Sequence, residues 1–486
     1  MPLQIRADCQ VGAGNMADSL KFGTSGLRGL ALELQGDAAR RYVAAFLRHL
    51  SKRKVGGYSR VFIARDLRAS SMAIAADCAA AVRAAGLVPV DCGVLPTPAL
   101  ALHAMAEGGP AIMVTGSHIP ADRNGLKFYT PQGEITKEDE LGILGALVDA
   151  VPADGGAAAE DGFAAAGDRY RRRYQHFLAP AALSGWTIGV FEHSSVARDH
   201  LASLFYRAGA KVVRLERSET FVPVDTEAFS DAIYEPRHRW IEAHGLDAIV
   251  TTDGDGDRPL LIDGQGNFVR GDVIGLLTAQ FLRADSVVTP VTSNSAIEAL
   301  GAFRRVERTR VGSPYVILGM EEAAHSGGTV VGFEANGGTL LGTNVELDGR
   351  TLERLPTRDA ILPLLAVLGA AARDGRSLAD LVAALPVRPA LSDRLTETPT
   401  EKSAAFAARL AAEPDYARAF FSGIGEVASM TAIDGPRFTL ASGDVIHYRP
   451  SGNAPELRCY VEGRTDERAA MLLRWGLDAA AKVVKS

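Results

Sequence analysis

The chain has 486 residues, 47% hydrophobic and 23% charged, with a formal net charge of -6. That composition is globular and long enough for three or four domains with separate cores; its mild negative balance argues against nucleic acid or an anionic membrane as partner. Ala360 to Ala372, the longest apolar run, is too short to span a bilayer.

The N-terminus has no basic region ahead of an apolar core, and Cys9, Cys78, Cys92 and Cys459 show no metal-like spacing, so the expectation is a cytoplasmic protein with reduced thiols. The first fifteen residues read as an irregular extension. Lys21 to Gly29 follows, with three glycines and two hydroxyls around Arg28. Such a loop is either a surface turn or an anion site built from backbone N–H groups and a guanidinium. A helix is predicted from Asp37 to about Arg53, its apolar residues on one face.

A strand–loop–helix–strand unit then recurs. Its copies begin at Val61–Ala64, at Thr187–Phe191 and, more weakly, at Ser286–Thr289. Each such unit needs a sheet of its own, which predicts repeated α/β domains. The first copy leads to Ala111–Val114, a buried strand that ends in Thr115-Gly116-Ser117-His118-Ile119-Pro120. Ser117 is thereby held on a loop at a strand end, and a polar turn through Asn124 returns Lys127 toward it. Alone, that serine reads as a turn residue.

In the second copy, Asp247–Thr252 runs into Asp253-Gly254-Asp255-Gly256-Asp257-Arg258. Carboxylates at alternate positions between glycines can curl onto one hard cation and would repel one another without it, so Asp253, Asp255 and Asp257 are read as a Mg²⁺ site. In the third copy, Val330–Phe333 delivers Glu334 and Asn336 into a glycine turn, where they could meet neighbouring sugar hydroxyls or simply form a polar hairpin. The last hundred residues read as α+β. Their loop Arg449-Pro450-Ser451-Gly452-Asn453-Ala454-Pro455-Glu456-Leu457-Arg458 gathers donors suited to a phosphate dianion.

These segments, in this order, resemble the α-D-phosphohexomutase superfamily over nearly the whole chain. The resemblance rests on Phe22–Gly29, Arg65–Ser71, Thr115–Pro120 with Asn124–Lys127, Asp253–Arg258, Glu334–Gly337 and Arg449–Arg458. It implies three similar α/β domains with mixed sheets and a C-terminal α+β domain around a central cleft, expected at residues 16–167, 168–268, 269–386 and 387–486. It also implies that Ser117 carries a phosphoryl group and joins Asp253, Asp255 and Asp257 around Mg²⁺. Arg449, Ser451, Gly452, Asn453 and Arg458 would clamp the phosphate already on the sugar, and Glu334 and Asn336 would meet its ring.

Arg28 and Arg258 supply charge neutralisation in this scheme, and Lys127, with His118 beside the serine, is the candidate proton carrier. The implied partners are hexose phosphates, with hexose 1,6-bisphosphate as activator, and a monomer or homodimer is expected. Mannose phosphates are the expected substrates, ahead of glucose and glucosamine phosphates. The sugar loop departs from the family's Glu-x-Ser-Gly-His pattern at Asn336 and Gly338, and Ser313 stands where some members have histidine. A sugar-phosphate phosphatase or a silent sensor would use part of the same site, but a pure binder needs neither Ser117, the metal loop nor Lys127.

Overall fold

A computed structural model describes residues 19–23, 26–147, 158–227, 229, 232–451 and 455–485. The irregular N-terminal extension and the loop residues Gly452 and Asn453 lie outside the described residues. Four larger sheets draw their strands from successive stretches of the chain.

The first three repeat one topology. In the first, Arg60–Arg65 lies parallel to both Val88–Val94 and Ala111–Val114, and Ala111–Val114 then pairs antiparallel with Arg123–Thr130. In the second, Thr187–His193 lies between Lys211–Arg217 and Ala248–Thr252, followed by antiparallel Pro259–Asp263. In the third, Ser286–Pro290 lies between Arg305–Thr309 and Val330–Phe333, followed by antiparallel Thr339–Leu341. In each sheet the last parallel strand ends in a hairpin, so all three hairpins leave from the carboxyl ends of parallel strands, where α/β folds place ligands. These hairpins are the Ser117, Asp253–Arg258 and Glu334–Gly338 segments.

One expectation needs correction. The stretch read as a polar turn carrying Lys127 is the eight-residue strand Arg123–Thr130, buried from Asn124 onward. Asn124 and Gly125 suggested a turn, but pairing with both Ala111–Val114 and Leu27–Leu30 satisfies the backbone on two sides. Lys127 therefore stands on a sheet, opposite Met113.

The fourth sheet is wholly antiparallel, in the order Ala390–Leu395, Leu457–Glu462, Val445–Pro450, Arg437–Leu440, Val427–Thr431. Helices Thr400–Ala412, Pro414–Phe421 and Asp466–Val484 cover it, and Phe406, Phe421 and Leu472 pack on Ile446, Tyr448 and Cys459. That core is separate. One continuous core, by contrast, joins residues of all three α/β units, such as Leu100, Leu204, Val250, Val287 and Leu362. The apolar run near Ala360 is the buried helix Ile361–Arg373, and no helix among the described residues is long and apolar enough to cross a membrane.

Candidate active site

Ser117 is held by its loop in a conformation that few non-glycine residues adopt, with φ of 57°. What holds it there is Arg68. The buried guanidinium donates to the carbonyls of Ser117 (3.0 Å), Ile119 (2.6 Å), Pro120 (2.5 Å) and Arg123 (3.0 Å). Asp66 fixes that arginine through its Nε at 3.1 Å and accepts from Ser71 and Thr115 at 2.5 and 2.7 Å. Thr115 Oγ1 in turn accepts the Ser117 N–H at 2.8 Å. The Arg65–Ser71 motif is thus the brace of the serine loop. The sequence marks the motif but not this task, because its targets are carbonyls and leave no side-chain signature.

The Ser117 hydroxyl donates to Asp253 Oδ2 at 2.5 Å, and His118 Nδ1 lies 3.3 Å from Ser117 Oγ. Burial, then Arg258 and Arg28, hold the His118 imidazole well below the usual histidine range, so it is neutral at physiological pH. Asp253, Asp255 and Asp257 are fully buried, and a ligand oxygen from each lies within 4.8 Å of the others. The Asp257 and Arg258 N–H groups donate to Asp253 Oδ1, both at 3.2 Å. Thr97 donates its hydroxyl to Asp255.

Burial, followed by the Asp255 and Asp257 charges, pushes the Asp253 carboxyl well above its ordinary value. Burial acts on Asp257 in the same sense but is outweighed by Arg358, Lys127 and Arg258, which hold it below the carboxylate range. Asp255 Oδ1 and Asp257 Oδ1 are buried with no hydrogen-bond partner. Orphaned carboxylate oxygens converging beside a third carboxylate fit a hard divalent cation.

The cations of the site are equally crowded. Lys127 Nζ donates to Asp255 and Asp257 at 2.5 Å each, so as placed it is a donor to the metal loop and not an open base. Arg258 Nε stands 3.9 Å from both Asp253 and Asp257. Arg28 is pulled down to about 10 by burial and by Arg258 and Arg358, and its Nη2 is buried without a partner. Arg358 donates to Asp257 Oδ2 at 2.7 Å and to Glu334 at 2.7 Å, tying the metal loop to the third hairpin. No motif pointed to Arg358. The available signal was an Arg-Asp pair immediately ahead of a long apolar run.

Arg28, Lys127, Arg258 and Arg358 thus stand among Asp253, Asp255, Asp257 and Glu334, with Glu227 3.8 Å from Arg258 as a further carboxylate. A divalent cation taken up by the aspartates would turn this balance toward positive charge and so toward an anionic ligand.

Beyond Arg358 lies a cavity of about 190 Å³, walled by Glu334 and Asn336, by Arg458, His447 and Tyr460 of the fourth sheet, and by Thr226 and Arg270. Ser117 and the three aspartates are outside its walls. Glu334 and Asn336 are nearly buried there, and the Asn336 side chain accepts the Gly338 N–H at 3.0 Å. Arg449 and Ser451 do not line the cavity; Arg449 Nε donates instead to Asp434 at 2.6 Å. That carboxylate also accepts the Val311 N–H at 3.1 Å, joining the third and fourth units.

Comparison with known proteins places the chain in a family. The chain matches the family models for phosphoglucomutase/phosphomannomutase alpha/beta/alpha domain I over residues 19–150, alpha/beta/alpha domain III over residues 270–388, and the C-terminal domain over residues 394–474. It is 49% identical over 465 residues to a phosphomannomutase of Sinorhizobium fredii, covering 94% of this chain and 98% of that protein. Identity to a phosphomannomutase of Salmonella muenchen is 43% over 455 residues, 93% of this chain and 94% of the other.

Among solved structures, the open form of parafusin (phosphoglucomutase) from Paramecium superposes with a TM-score of 0.73 at 16% identity, covering 96% of this chain and 95% of that one. A phosphoglucomutase/phosphomannomutase family protein from Burkholderia thailandensis gives 0.72 at 21% identity, covering 95% of this chain and 96% of that one. At such identities the superpositions speak for the fold alone. The family matches and the close relatives together establish that this chain belongs to the phosphoglucomutase/phosphomannomutase family of isomerases, the α-D-phosphohexomutases.

Proposed function

We propose that this phosphohexomutase interconverts mannose 1-phosphate and mannose 6-phosphate through a phosphoryl group carried on Ser117. The observation that carries the reading is the Ser117 hydroxyl at 2.5 Å from Asp253, inside a cluster of carboxylates with orphaned oxygens. A serine in a protein that only binds has no need of that neighbour, whereas a phosphatase would use the same cation but admit water to the phosphoserine. The preference for mannose rests on the two phosphomannomutase relatives.

The sugar's free hydroxyl attacks the phosphorus in line, the bond to Ser117 Oγ breaks, and a bisphosphorylated hexose forms. After that intermediate turns over in the cleft, its other phosphate returns to Ser117. Asp253, Asp255 and Asp257 would hold Mg²⁺, which supplies Lewis-acid charge neutralisation at the transferring phosphoryl group. Arg28 and Arg258 add fixed positive charge beside Ser117 in a site closed to water. Lys127 is assigned the proton of the sugar hydroxyl, a role that would open to it once a cation took the Asp255 and Asp257 carboxylates to which it now donates, and neutral His118 orients the serine oxygen. Arg458, Arg449, Ser451, Gly452 and Asn453 are assigned the phosphate already on the sugar, while Glu334 and Asn336 take the ring hydroxyls.

The test is turnover with Mg²⁺ and a trace of hexose 1,6-bisphosphate as activator. Mannose, glucose and glucosamine 1-phosphates run in parallel, with 6-phosphate product and free phosphate both followed. The expected result is isomer without phosphate release, fastest with mannose, lost on chelation and reduced by roughly 10³-fold or more in Ser117→Ala. Phosphate release matching substrate consumption would sink the relay and make the protein a hydrolase.

A further inference from the structure

Arg358 has no part in the scheme above, yet it is among the largest fully buried side chains of the molecule, at 2% exposure. It sits in Leu355–Asp359, a strand with every residue buried. That strand is anchored on both sides of the arginine. Thr357 donates to Glu134 at 2.6 Å, and Asp359 accepts from the Tyr170 and Tyr174 hydroxyls at 2.8 and 2.5 Å. Between these anchors the guanidinium spans two hairpins, with Nη2 and Nε on Asp257 Oδ2 at 2.7 and 3.2 Å and Nη1 on Glu334 Oε2 at 2.7 Å.

Gly338 makes room for it. A Cβ at that position would lie 2.6 Å from Arg358 Cδ and 2.9 Å from Cγ. The arginine stem therefore fills the volume that a side chain on the sugar hairpin would use.

We propose that Arg358 is the residue that sets sugar selectivity in this enzyme, by fixing the Glu334 carboxylate against the metal loop so that it meets the ring hydroxyls in one orientation. The inference rests on the reading of Glu334 as the ring contact. A planar guanidinium suits the task because it can hold two carboxylates in fixed relative geometry, which a lysine ammonium cannot. A carboxylate pinned in this way discriminates hydroxyl epimers; a mobile one adapts to either. Arg358 acts through Glu334 and is a positioning residue.

The test compares wild type with Arg358→Lys, Arg358→Met and Gly338→Ala, using mannose 1-phosphate and glucose 1-phosphate. Gly338→Ala leaves every charge in place but presses on the arginine stem and also on the Asp257 carbonyl, 3.0 Å from the new Cβ, so it carries the test, read as a ratio between sugars, if the Arg358 variants do not fold. The preference between sugars, as a ratio of kcat/KM values, should shrink by about tenfold in Arg358→Lys and Gly338→Ala. Calorimetric binding of the same two sugars to these variants in a Ser117→Ala background should show the same narrowing without turnover. Adding Arg358→Lys to Glu334→Gln should leave the ratio where Glu334→Gln alone put it. Losses equal for both sugars, or an unchanged ratio, overturn the proposal with the mutase reading intact. Absence of isomerisation in the wild type overturns that reading and this proposal with it.

Discussion

Arg68 shows how much of a reactive serine is decided by a residue that never meets the substrate. Its guanidinium gathers four carbonyls of the Ser117 loop and stacks over the Phe221 ring at 4.0 Å, binding the loop to the second unit. A lysine at this position would keep the charge but leave several buried carbonyls unpaired, at about 1–3 kcal/mol each. Arg68→Lys should therefore cost about 3 kcal/mol of stability, read as a lowered unfolding midpoint in urea. It should also lower kcat by roughly 10²-fold, the scale expected when a reacting atom is misplaced by an ångström. A variant with wild-type midpoint and kcat would remove Arg68 from the account of the site.

At the scale of elements, the site is assembled by repetition. Three hairpins of the same type meet because three sheets of the same topology are packed on one core, and each hairpin begins where a fully buried strand ends. The contacts between elements are tight enough to leave no room for a methyl group. Gly271 opens the helix Gly271–Phe281, and a Cβ there would lie 2.4 Å from the backbone of Ala335, Asn336 and Gly337. Backbone cannot swing aside as a side chain can, so Gly271→Ala should push the sugar hairpin out of place. The expected result is a rise in KM of roughly tenfold or more for the hexose phosphate and a matching rise for the bisphosphate, whose ring meets the same hairpin, with kcat at saturation changed less. An unchanged KM would show that the hairpin is not where sugar is read.

At the scale of the molecule, the first three units share one apolar core while the fourth has its own. The links between them are polar. Examples are Asn294 Nδ2 to the Arg388 carbonyl at 2.8 Å, Ser295 N–H to Glu462 at 3.1 Å, and Asp434 between Arg449 and Val311. Polar contacts exchange with water at little net cost, so the fourth unit can rotate while the other three stay together. The geometry calls for it. Ser117 is wholly buried, and a cavity of 190 Å³ falls short of the roughly 300 Å³ at which small-molecule sites begin. Small-angle scattering should give a larger radius of gyration for the free protein than for a complex with hexose 1,6-bisphosphate. Identical radii would mean that the fourth unit does not move.

Much of this protein was legible along the chain because its chemistry lies in short contiguous segments. Asp253, Asp255 and Asp257 are spaced to curl around a cation whatever surrounds them, and the recurring strand–loop–helix unit announces repeated α/β sheets from local pattern alone. The Lys127 strand was misread because Asn124 and Gly125 carry a turn signal that pairing on both edges overrides. Arg68, Thr97 and Arg358 were not legible as site residues, since each acts on bare carbonyls or on side chains of other segments, 24 to 158 positions away. The sequence by itself determined that Ser117, the Asp253–Arg258 segment and Glu334 each follow a short apolar strand. Only the tertiary structure decided which buried cation pairs with which carboxylate, because that choice depends on distance and desolvation across sheets that the chain brings together only when it folds.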